Sequence, residues 1–160
     1  MFGGPLLLMQ RLGEFNAADI ALAQEMVAEY KRDRERFFQQ GSVVHHLEPP
    51  LYPPESLPAP LPGSSGAGFG WDSIQVVAAD GQASAVFVYR AAGLSMANET
   101  HVVHPRGLQA GARYAVTFRD GHGQAALVRG QDIMTVGIAV TMMPETSEVV
   151  DLSVQGQWPV

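Results

Sequence analysis

From Trp71 onward the chain alternates short apolar runs with Asp-Gly, Gly and Pro marks about ten residues apart, and this rhythm limits its folds more than any other feature. Runs so short and so rich in β-branched residues read as strands. Ser73–Ala79 and Ser84–Arg90 are joined through Asp80-Gly81, a strong hairpin signal. Thr100–His104 is a short alternating strand. Arg113–Arg119 turns at Asp120-Gly121 into Gln124–Val128. Gln131–Met134 reads as one helical turn, and Gly137–Met142 and Glu148–Val154 as the last strands. The expectation is a mainly β fold, an antiparallel β-sandwich.

The first forty residues follow a different rule. Pro5–Met9 is a short apolar run, read as a strand. Asn16 is placed as a helix N-cap, with Asp19 in the first turn. Ala17–Gln40 contains no Gly or Pro, and Ile20, Ala23, Val27, Tyr30 and Phe37 form an apolar stripe interrupted at Arg34. Gly41 supplies the stop. One long amphipathic helix is therefore expected ahead of the sandwich. Ser42–Leu47 reads as a short strand. Seven of the eleven prolines fall in Glu48–Gly70, followed by a glycine-serine run. Proline withholds an N–H, so this stretch is read as a linker and not as a central strand.

A chain of 160 residues suits one domain, or a small domain plus an appended element. The formal charge of −6 argues against nucleic acid or an anionic membrane as partner. Lys31, Arg32, Arg34 and Arg36 do cluster, but Glu29, Asp33 and Glu35 interleave with them as on a solvated helix face. No apolar run reaches the ~20 residues that span a bilayer. The start of the chain lacks the charged leader of a signal peptide. There are no cysteines, which removes disulfides, thiolate chemistry and cysteine metal sites and suits a reducing cytoplasm, the compartment expected.

The chemistry-bearing residues mostly have plain readings. His45 and His46 are adjacent, and His101 and His104 are three apart, so on strands neither pair shares a face. No metal or other cofactor is expected. A retaining glycosidase needs two carboxyl groups ~5–5.5 Å apart. Asp80 and Asp120 are turn residues, the helix acids face solvent, and Asp72, Asp132 and Glu148 show no evident partner. Ser64-Ser65 lacks the nucleophile-elbow frame, and Gly63–Gly70 is no phosphate loop. Asn98-Glu99-Thr100 fits a glycosylation acceptor, a pattern that matters only in a secreted chain. Phe69 and Trp71, at the mouth of a loop, are the candidates for stacking on a sugar. No catalytic residue is assigned.

The order of Trp71–Val77, Ala85–Arg90, Arg106-Gly107-Leu108, Ala112-Arg113-Tyr114, Gly130-Gln131-Asp132-Ile133-Met134 and Ser147-Glu148-Val149-Val150 resembles the C-terminal β domain of glycoside hydrolase family 36, the α-galactosidases. Pro5–Gln40 is similar to the last strand and helix of the (β/α)8 barrel that precedes that domain. The resemblance divides the chain into residues 1–41, the last βα unit of a barrel; 42–70, a short strand and a Pro/Gly-rich linker; and 71–160, the C-terminal sandwich. It implies a parent enzyme that releases terminal α-galactose with retention, using two barrel aspartates. Neither aspartate has a matching position here. The chain is thus expected to be inactive alone, with a catalytic barrel as its partner. A free-standing carbohydrate-binding or structural sandwich is the alternative.

Overall fold

The computed structural model describes residues 15–38, 42–47, 70–90 and 97–154. The Pro5–Met9 run, the end of the predicted helix at Gln40, Phe69 and the proline-rich stretch before it lie outside the described residues. The chain forms two compact units, Met1–Ser42 and Val43–Val160.

In the first unit, helix α1 runs Ala17–Asp33. Its start is fixed locally. The Asn16 side chain accepts from the backbone of Ala18 and Asp19, and Asp19 accepts from the backbone of Asn16, a reciprocal capping box. Lys31 and Arg32 stand in its last turn, where a positive charge complements the helix dipole. Beyond Asp33 the chain continues as a wider π-helical winding over Arg34–Phe38, so the helix changes pitch where its apolar stripe breaks. No residue of α1 is buried, and Ile20, Leu22 and Met26 are exposed.

The second unit is the sandwich. Its strands are β1 Val43–His46, β2 Trp71–Val77, β3 Ala83–Arg90, β4 Glu99–Val103, β5 Arg113–Phe118, β6 Ala126–Arg129, β7 Ile138–Met142 and β8 Thr146–Val154. The short helix α2, Gly130–Thr135, lies between β6 and β7. Six strands make one antiparallel sheet in the order β1-β2-β3-β8-β5-β6, and β4 and β7 make a second. The strand at Ser42–Leu47 thus joins the main sheet, with Val43 opposite Val77. Val86 and Val88 of β3, Tyr114 and Val116 of β5, and Val150 and Leu152 of β8 pack against Val103, Ile138, Val140 and Met142 from the smaller sheet. Leu108, between β4 and β5, and Ile133 of α2 close the cluster. Fully burying each such aliphatic side chain contributes roughly 1.5–3 kcal/mol, which is why two strands suffice as a second layer. The large sheet is buried on both faces even at β2, next to its edge strand: Gln75 and Val76 are neighbours there, point oppositely, and are both fully buried.

One end of the sandwich is pinned by side chains that bond to loops. The Gln75 amide donates to Ser84 Oγ and to the Arg106 carbonyl, and its oxygen accepts from the Arg106 N–H at 2.7 Å. The buried Tyr114 hydroxyl donates to the Gly81 carbonyl and accepts from the Gln109 N–H at 2.8 Å. Gln109 in turn donates to the Asp80 carbonyl. Asp80 also behaves as a turn residue, its carboxylate accepting from the Gln82 N–H, and Gly81 takes a positive φ of 69°.

Candidate functional site

At the opposite end of the sandwich several charged and aromatic side chains meet. Trp71 opens β2 and stands across from Arg90, the last residue of β3. The Trp71 ring stacks on His101 of β4, with centroids 4.9 Å apart and planes 16° from parallel. The Arg90 guanidinium lies over the same ring, 5.5 Å from its centroid, a cation–π contact. Arg90 itself is only 4% exposed. It donates to the Ala97 carbonyl at 2.8 Å and to the Met142 carbonyl, and pairs with Glu99 at 3.0 Å. A buried guanidinium is tolerated only when its donors are satisfied in this way. The ring predicted as a sugar platform is half-buried, packs against the core and is engaged by two side chains. Phe69 lies outside the described residues.

On the outer face next to Trp71, Asp72 stands opposite Tyr89. Burial pushes the Tyr89 phenol up, and the nearby Asp72 charge adds to that rise. The Asp72 Oδ1 atom is buried without a hydrogen-bond partner. Glu148, which showed no partner in the sequence, is fully buried and well partnered. It accepts from the backbone of Asp120, His122 and Val149, at 3.0, 2.8 and 2.8 Å. Asp151 is gripped by Arg119 in a two-point fork, at 2.8 and 3.0 Å. Sequence reasoning missed the roles of Glu148 and Asp151 because each depends on which distant segments the fold brings together.

Glu99, Glu148 and Asp151 are therefore held by their own partners and do not face a common cleft as a catalytic pair. Among the described residues no group of three His, Asp or Glu could hold a metal ion. Among them, too, no helix is long and apolar enough to cross a membrane.

This is a mainly antiparallel β domain whose ionisable residues brace strands and loops. Residues 71–152 match the glycosyl hydrolase family 36 C-terminal domain. The chain belongs to glycosyl hydrolase family 36 and carries its C-terminal domain. Solved structures share the fold. The α-galactosidase from Lactobacillus brevis superposes with a TM-score of 0.67 at 16% identity, covering 94% of this chain and 18% of that one. The galactosidase domain of an α-galactosidase–sucrose kinase gives 0.64 at 16% identity, over 89% of this chain and 17% of that one. A family 36 α-galactosidase from Geobacillus stearothermophilus in complex with raffinose gives the same figures. The chain thus spans less than a fifth of the length of these solved chains. Comparison with curated proteins gave no match.

Proposed function

We propose that the chain is the non-catalytic tail of an α-galactosidase-like glycoside hydrolase, with residues 1–41 as the last βα unit of a catalytic barrel, 42–70 as connector and 71–160 as the sandwich. The observation that carries this reading is the match of residues 71–152 to the family's C-terminal domain. The acids support the non-catalytic part, since Glu99, Glu148 and Asp151 are each committed to structure. α1 supports the partner, because its Ile20, Leu22 and Met26 are exposed and such a surface favours association. The partner proposed is a catalytic barrel, in the same parent chain or as a separate subunit, acting on terminal α-galactosides in the cytoplasm.

The test is hydrolysis of an aryl α-galactoside. The chain by itself is expected to be inactive, and the longer product that includes a barrel to be active. Turnover by this chain alone, abolished by changing one of its acids, overturns the reading. A carbohydrate-holding role for Phe69 and Trp71 is a separate part of the proposal. It requires sugar binding that disappears in Trp71→Ala while the sandwich stays folded.

A further inference from the structure

We propose that the loop between β5 and β6, residues 119–125, is a strap that couples the two sheets, and that the Glu148 carboxylate holds it closed. Glu148 lies on β8, opposite Val88 of β3 in the large sheet. Its Oε1 accepts from the N–H groups of Asp120 and Val149, and its Oε2 from the N–H of His122. The carbonyl of that same His122 accepts from the Thr141 N–H of β7, at 2.9 Å. The connection therefore runs from a buried carboxylate in the large sheet, through one residue of the loop, to an amide of the small sheet.

The base of the strap is fixed separately. Arg119 forks onto Asp151, and its N–H donates to the Val149 carbonyl at 3.1 Å. Beyond it the described backbone of the loop turns outward, with Gly121 at φ 80° and exposed. The His122 ring stands beside the same carboxylate, with Nδ1 3.2 Å from Glu148 Oε2, an ion-pair distance but without hydrogen-bond geometry, so the backbone N–H makes the directed contact. Three donors meeting two oxygens need a carboxylate. A glutamine would turn its NH2 toward at least one backbone N–H and leave that donor unpaired.

The experiment is residue-resolved amide hydrogen exchange on the full chain. Thr141 is the reporter, because its N–H is given to the strap. In the wild-type protein the amides of His122 and Thr141 should open together, with less protection than Val150 and Leu152 of β8. Glu148→Gln should speed exchange at Thr141 by about tenfold or more, since a bond to a charged acceptor is lost, and leave Val150 and Leu152 unmoved. His122→Ala keeps the backbone donor and carbonyl and should leave Thr141 protected. Unchanged exchange at Thr141 in Glu148→Gln overturns the proposal. So does a uniform acceleration through β8, or an equal effect of His122→Ala. Should the glutamine variant fail to fold, the wild-type measurement decides, because a Thr141 that exchanges with the β8 core and not with His122 is incompatible with a strap.

Discussion

Helix α1 and the six-stranded sheet meet the problem of burial in opposite ways. The helix has its N-terminal backbone groups satisfied by near neighbours in sequence, through Asn16 and Asp19, while none of its side chains is fully buried. The sheet is built from partners far apart in sequence and buries even its polar side chains, among them Gln75, Arg90 and Glu148. Local capping makes a helix possible, but in proteins most helical stability comes from packing an apolar face. In α1 Ile20, Leu22 and Met26 stay exposed, and among the described residues of that unit only Phe37, in the winding that follows, is buried. The sandwich has its second layer already. The sandwich is self-sufficient in its packing, and the helix leaves apolar residues exposed.

The sharpest way to break that contrast is to damage the self-sufficient half. Gly130 begins α2 and is pressed into the loop before β5. A Cβ placed there would meet the Gln109 carbonyl oxygen at 2.2 Å and the Tyr114 ring at 2.9 Å. The obstructing atom is backbone, and the Gly130 N–H is already bonded to the Ala112 carbonyl, so neither side can yield cheaply. Gly130→Ala should destabilise the sandwich by about 3 kcal/mol or more, the upper range for overpacking. Urea unfolding followed through the sandwich's aromatic residues measures it. A loss under about 1 kcal/mol would mean that the pinned end is looser than its contacts imply.

Most of this fold was legible in the sequence, and the residues that were not share one physical cause. The hairpins could be read because Asp-Gly turns are local chemistry, as at Asp80-Gly81. The predicted strands at Thr100, Arg113, Gly137 and Glu148 correspond to β4, β5, β7 and β8. The turn at Asp120-Gly121 is where the sequence places it, but β5 ends at Phe118 and β6 begins only at Ala126, a loop slightly longer than the predicted 120–123, and the Asp120 and His122 N–H groups in it go to Glu148. Gln75 shows the general difficulty. Alternation of polar and apolar residues identifies a face only when the other face is wet. Here Val76 and Gln75 are both buried, so the pattern could not say that Gln75 points inward. The helix could be read to Asp33, and its change of pitch coincides with the Arg34 interruption. For the candidate site, the engagement of Trp71 by His101 and Arg90 was not legible, because both arrive from other strands.

Tyr114 gives an intermediate effect and adds a pH dependence. Tyr114→Phe keeps the ring but leaves the Gly81 carbonyl and the Gln109 N–H without their partner, for a loss of about 2 kcal/mol. Burial pushes the Tyr114 phenol above its ordinary value of 10.0, with the Asp80 charge adding to the rise and the Gln109 N–H opposing it. The folded state thus prefers the neutral phenol. Its contribution is complete below the ordinary value and is lost as pH climbs through the raised one. Wild-type stability should fall on the alkaline side, and Tyr114→Phe should flatten part of that fall. Tyr89, raised in the same direction, retains the remainder. Parallel alkaline slopes for the two proteins would show that the hydroxyl does not hold the Gly81 turn.

The smallest expected effect belongs to the helix. Asn16→Ala removes the side-chain oxygen that receives the N–H groups of Ala18 and Asp19. The Asp19 carboxylate can still accept from the backbone at position 16, so only half of the capping box is lost. The expected cost is about 1 kcal/mol, seen as a lower helical signal in far-ultraviolet circular dichroism. Because α1 buries no residue of its own, that cost is undiluted by packing and should be visible in this chain. Addition of a barrel that covers Ile20, Leu22 and Met26 should restore the signal, since tertiary burial outweighs a single cap. A helix that lost nothing on Asn16→Ala would already be held by something other than its own cap, and the contrast between the two halves of the molecule would dissolve.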